Sequence, residues 1–149
     1  MKAQWVKFLA MIVGLTGCAV TPESLLRKAV PATDSAYGYD AAHAIPMKVG
    51  EAGISIACSR YFINHLRTSE GTAFRIAGRQ TVDEPGYQAP LVKLQERSTG
   101  RPLYSLGLID VYTLVSEGKT DTVRLYVNIY RRGPLQVPAG LRLLADEKL

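Results

Sequence analysis

Hydrophobic and polar positions change rhythm several times along this chain, and each change predicts an element. From Ile54 to Thr68 the apolar residues Ile54, Cys58, Tyr61, Phe62, Ile63 and Leu66 recur at spacings near three and four, while Arg60, Asn64 and Arg67 fall largely opposite. That period predicts one main helix over 54–68 with a single buried face, terminated by Gly71. Thr72–Val82 alternates instead: Phe74 and Ile76 share one face, Arg75 and Arg79 the other, as in a half-buried strand. The acidic turn Asp83-Glu84-Pro85-Gly86 closes it. Leu91-Val92-Lys93-Leu94 reads as a short strand and Ser98-Thr99-Gly100-Arg101-Pro102 as a turn.

The clearest alternation lies further on. Ile109, Val111, Thr113 and Val115 interleave with Asp110, Tyr112 and Leu114, and Val123, Leu125, Val127 and Ile129 interleave with Arg124, Tyr126, Asn128 and Tyr130. β-Branched and aromatic residues on a period of two predict two strands, 104–115 and 122–130. The short polar connector Ser116–Asp121 makes them an antiparallel hairpin. Arg131-Arg132-Gly133-Pro134 ends the second strand, and Leu141–Leu144 supplies one more short element. The fold class is α+β: a small antiparallel sheet of three to five strands with the main helix packed on one face.

Before this domain the pattern is different. Met1–Lys7 carries two lysines and no acid, then Phe8–Leu15 is an apolar run ending in Thr16-Gly17-Cys18. A positive start, a short apolar stretch and small residues describe an export signal. The uncharged stretch Phe8–Val20 falls short of the roughly 20 residues a spanning helix needs. Leu15-Thr16-Gly17-Cys18 resembles the bacterial lipobox, so the chain is similar in this segment to bacterial lipoproteins. The resemblance implies cleavage before Cys18, diacylglycerol on its thiol, and a further acyl chain such as palmitate on the new amino terminus. It divides the chain into a signal peptide, 1–17, an acylated Cys18 with a tether, 18–45, and one domain, 46–149. Ala19 in place of Asp favours sorting to the outer membrane, with the body facing the periplasm. Within the tether, a short helix from Glu23 to Val30 is expected, with Thr21 as its N-cap and Pro22 at its first position.

A second resemblance covers the domain. Pro46-Met47-Lys48-Val49-Gly50, Arg60-Tyr61-Phe62, Ile109-Asp110-Val111-Tyr112 and Leu125–Tyr130 are similar, in the same order, to segments of small uncharacterised bacterial proteins. It implies one continuous domain from about Pro46 to Pro138 and no site residues.

Composition narrows the function classes. The chain has 149 residues, 47% of them hydrophobic and 21% charged, as in an ordinary globular domain. Its formal charge of +5 includes Lys2 and Lys7 of the signal, so the mature chain carries +3. Basic residues are spread out, without the concentrated stripe of a nucleic-acid binder, and no nucleic-acid partner is expected. Acylation of Cys18 leaves Cys58 without an intramolecular partner, as a small buried hydrophobe.

The chemistry-bearing residues form no strong constellation. His43 and His65 lack the converging ligands and spacing of a zinc site, and no metal or cofactor is expected. A Ser59/His65/Asp110 or Cys58/His65 arrangement has no strained nucleophile elbow, and Cys58 and His65 stand two helical turns apart. Asp110 is expected to pair with Arg124 across the hairpin. Tyr112, Arg124, Tyr126, Asn128 and Tyr130 form the candidate binding patch, a set of aromatic and hydrogen-bonding groups suited to protein or glycan if exposed; the favoured alternative is that the helix or the tail covers this face. The expected function is that of a lipid-anchored, non-enzymatic envelope protein with a protein partner. The alternatives are a periplasmic binding module for a small ligand or cell-wall fragment, and a hydrolase.

Overall fold

A computed structural model describes residues 21–104 and 106–144. Cys18 and the segment resembling a lipobox lie outside them, as do the last five residues. The elements in chain order are α1 (Pro22–Leu26), β1 (Val30–Pro31), β2 (Ile45–Pro46), α2 (Ala52–His65), β3 (Leu66–Thr68), β4 (Phe74–Asp83), β5 (Leu108–Ser116), β6 (Thr122–Asn128), β7 (Gln136–Val137) and β8 (Leu141–Leu143). The class is α+β. No helix among the described residues is long and apolar enough to cross a membrane.

The main sheet has the order β2-β6-β5-β4, with β4, β5 and β6 antiparallel and β2 running parallel to β6. The expected hairpin is its centre, Tyr112 facing Leu125 across the strands and Ser116–Asp121 forming the turn. β5 begins at Leu108 rather than Tyr104, because Gly107 adopts a positive φ just before it. β6 ends at Asn128, whose Oδ1 accepts the backbone N–H groups of Tyr130 and Arg131 and turns the chain.

Helix α2 covers the sheet face that carries Tyr112, Leu114, Val123, Leu125 and Val127. Cys58, Phe62 and Ile63 are its buried apolar side chains, and they join Ile45, Met47, Leu66, Tyr112, Leu114, Leu125 and Val127 in one core. The helix stops at His65, three residues short of the sequence expectation. Leu66 takes an extended conformation and pairs with Leu143, so Leu66–Thr68 forms a small antiparallel pair with β8. Leu66 is fully buried either way, which is why helical periodicity absorbed it. Gly71 therefore does not end the helix. It turns the chain from β3 into β4 at φ +96°, its N–H bonded to the Thr68 carbonyl at 2.9 Å. An alanine there carries a Cβ in left-handed space, so Gly71→Ala is expected to cost about 1–2 kcal/mol in urea unfolding.

A bulge in β4 corrects a second expectation. Ile76 pairs with Leu114 but Gly78 with Thr113, so Ala77 is an extra residue and the alternation reverses there. Arg79 consequently faces the same side as Phe74 and Ile76, opposite Tyr112, and not the side of Arg75.

The segment read as a tether belongs to the folded body. Thr21 caps α1 through a reciprocal pair of bonds with Ser24, and the helix ends at Leu26, short of Val30. Leu26, Ala44 and Ile45 are buried. Val30–Pro31 pairs in parallel with Gln136–Val137, and Ile45–Pro46 with Val127–Asn128. Tyr37 accepts the Gln136 N–H at 3.0 Å, and Tyr39 donates to the Ala139 carbonyl at 2.5 Å. Among the described residues the body thus begins at Thr21. Leu91–Leu94 forms no strand. It belongs to an arm, residues 84–107, joining β4 to β5, closed by a single bridge between Gln95 and Pro102.

Candidate functional site

The bulge at Ala77 brings together the most unusual polar group of the domain and its partner. Asp110, 5% exposed on the helix-facing side of β5, has a carboxylate 2.7 Å from the Arg79 guanidinium. The Thr81 hydroxyl donates to its other oxygen at 3.4 Å. Arg79 also lies over the Tyr112 ring, 5.8 Å from the centroid, at the outer reach of a cation–π contact. Beneath it Ser59 donates to the Ile56 carbonyl at 2.8 Å, which leaves Ser59 Oγ to accept from the Tyr112 hydroxyl at 3.1 Å. The bond to Asp110 holds the Arg79 guanidinium more firmly protonated.

Tyr130 closes this site. It follows β6 and lines three concavities at one end of the sheet. A cavity of about 140 Å³ holds Arg79, Thr81 and Asp110 with Ile56 of α2. A second of about 220 Å³ runs between Lys48, Glu51 and the arm residues Arg101, Leu103 and Tyr104. A third of about 210 Å³ includes Glu84, Tyr87 and Arg131. Glu84 and Arg131 are paired at 2.5 Å. Burial and the neighbouring Asp110 charge push the Tyr130 hydroxyl above its ordinary value, with Arg79 opposing them. Chemically the cleft offers a guanidinium whose charge is largely matched, a phenol and apolar walls. That set suits recognition of a polar small molecule better than proton transfer, for which a group free to change protonation is required.

The sheet divides the patch expected from sequence. Tyr112 is buried and faces α2, whereas Arg124 pairs with Thr113 and Tyr126 with Val111 on the opposite face. Asn128 is buried and engaged with its own turn. Of the expected patch, Tyr130 and Asn128 line the cleft, with Tyr112 as the floor under Arg79. Asp110 pairs with Arg79, not with Arg124, because register puts Arg124 on the other side. Arg79, Thr81, Glu84 and Arg131 were not anticipated; an acid between Ile109 and Val111 was the one signal pointing here.

No family model, curated protein or solved structure matches this chain.

The remaining candidates lie apart. His65 points its Nδ1 at the Tyr61 carbonyl, 2.7 Å away, with its ring stacked near that of Tyr61. Ser59, His65 and Asp110 each have different partners, so they do not make a triad. His43 is exposed in the loop between β1 and β2 and binds the Asp40 carboxylate at 2.9 Å, which raises the imidazole and lowers the carboxyl. No group of three or more His, Cys, Asp or Glu side chains able to hold a metal occurs among the described residues. A roomier concavity, about 580 Å³, opens at the other end of the sheet around Phe74, Arg75, Ser116 and Lys119. It contains none of the expected residues.

Cys58 is buried in the core and burial raises its thiol above the ordinary value. Thiolate is the reactive form. The native protein is therefore expected to resist an aromatic disulfide reagent at neutral pH, and to react fully once unfolded in denaturant.

Proposed function

We propose that this chain is a lipid-anchored envelope protein that works by binding rather than by covalent catalysis. The observation that carries the reading is Leu15-Thr16-Gly17-Cys18 at the end of a short apolar run preceded by lysines. A thiol at that position is the acceptor for diacylglycerol. More than one buried acyl chain is needed for stable attachment, since a single one gives marginal, reversible binding. The protein then faces the periplasm from the outer membrane, Ala19 being the residue that favours this sorting. Its partner is another envelope component, and the outer edge of β4 offers a docking place: that strand ends the main sheet and most of its residues are exposed.

The anchor is tested by mass. The mature protein is expected to begin at Cys18 with lipid attached, and Cys18→Ala is expected to abolish incorporation of a fatty-acid probe and free the protein from the membrane fraction. A mature chain that begins at Val20 and carries no lipid refutes the anchor.

A second reading, a binding module for a small ligand or cell-wall fragment, is favoured by the three concavities that meet at Tyr130 beside the buried Asp110. Tyr130→Ala separates the two: it weakens capture of a small ligand and leaves attachment to an edge-strand partner intact.

A further inference from the structure

The arm between β4 and β5 exposes what a domain of this size ordinarily hides. From Gln88 to Arg101 every residue except Glu96 is exposed. Of eight large apolar residues exposed among the described residues, five lie on the arm: Leu91, Val92, Leu94, Leu103 and Leu106. Leu91 is fully exposed, with no neighbour shielding it. Single exposed leucines are common on protein surfaces, but a cluster on one projection marks a contact site. The cross-strand bond from the Leu103 N–H to the Leu94 carbonyl, 3.0 Å, brings the two limbs and their leucines side by side.

Charge on the arm identifies the occupant. Lys93, Arg97 and Arg101 are interspersed with the apolar residues, against Glu96; the arm's other acid, Glu84 at its base, is paired with Arg131. Arg101 is shared between Glu96 and Glu51, whereas Lys93 and Arg97 have no acidic partner among the described residues. Exposed leucines flanked by two cations with no acidic partner among the described residues match the boundary of an anionic bilayer, where acyl chains meet negative headgroups. A protruding knob also suits a soft surface. The arm is irregular, so its backbone groups need water, and entry is limited to side chains at the headgroup level.

We propose that the arm, led by Leu91 and Val92 and flanked by Lys93 and Arg97, is a second membrane contact that seats the domain on an anionic lipid surface. It deepens the anchor reading and rests on it only for location. With Cys18 three residues before Thr21, the chain spans at most about 11 Å between acylated residue and folded body. A body held that close to lipid has a surface for the arm to meet.

The test uses tryptophan depth. Trp5 is the only tryptophan in the sequence. In a Trp5→Phe background of the full chain, Leu91→Trp places one reporter on the arm, and Glu117→Trp places one on the turn at the other end of the sheet. Each protein is reconstituted with vesicles of phosphatidylethanolamine and phosphatidylglycerol whose acyl chains carry bromine, a contact quencher, and its amino-terminal mass is read in parallel. Quenching at position 91 is expected to exceed that at 117 several-fold. In the Leu91→Trp protein, Lys93→Glu with Arg97→Glu is expected to weaken arm partition about five-fold or more for each charge removed. Quenching at 91 without lipid on Cys18 supports the arm and refutes the anchor. Lipid on Cys18 without quenching at 91 overturns the arm and leaves its leucines to a protein partner. Equal quenching at both positions, or no dependence on phosphatidylglycerol, also overturns it.

Discussion

Ile45→Ala is expected to lower the unfolding free energy by about 3 kcal/mol, read as a shift of the urea midpoint at constant slope. Ile45 is completely buried, its backbone pairs with Val127, and its side chain packs under Gly38. Truncation removes three carbons from a closed core, so the lost transfer energy and the residual cavity add. The same substitution in a solvated tether would change stability by less than about 0.5 kcal/mol. The experiment therefore decides whether residues upstream of Pro46 are structural.

Arg79→Met is expected to cost about 3 kcal/mol at neutral pH, toward the lower end for breaking a buried pair because a third of the Arg79 side chain reaches solvent. The substitution keeps the apolar stem over Tyr112 and removes the charge. Asp110 then keeps only the Thr81 hydroxyl, at 3.4 Å, for a carboxylate that is almost wholly buried. Urea midpoints of both proteins at neutral pH, compared at constant slope, measure it. Arg79→Lys retains charge but not the forked geometry, and falls between them.

Much of this architecture was legible, for a physical reason. The hairpin and the main helix are each written in a period that repeats several times within one segment. What escaped was carried by single residues or by distant pairings. A period of two assigns Tyr112 and Leu114 to one face of β5 but does not say how that face aligns with β6. Register alone separates Tyr112 from Arg124 and Tyr126. One inserted residue, Ala77, reverses the alternation of β4, and with it the partner of Asp110. Two-residue strands such as Val30–Pro31 and Ile45–Pro46 are too short to show any period, so their stretch read as a linker. At the cleft, Tyr130 was recognisable by type, whereas Arg79 and Glu84 look in sequence like ordinary surface charges.

The stitching of the first described segment to the last has a kinetic consequence. Val30 meets Gln136, Tyr37 binds a backbone group 99 residues away, and Tyr39 one 100 residues away. A chain still lacking everything beyond Gly133 has no partners for these groups, and contacts of such sequence separation close late and slowly. The nascent polypeptide would thus stay open until residues 134–139 have been made, the unfolded state that the proposed export requires.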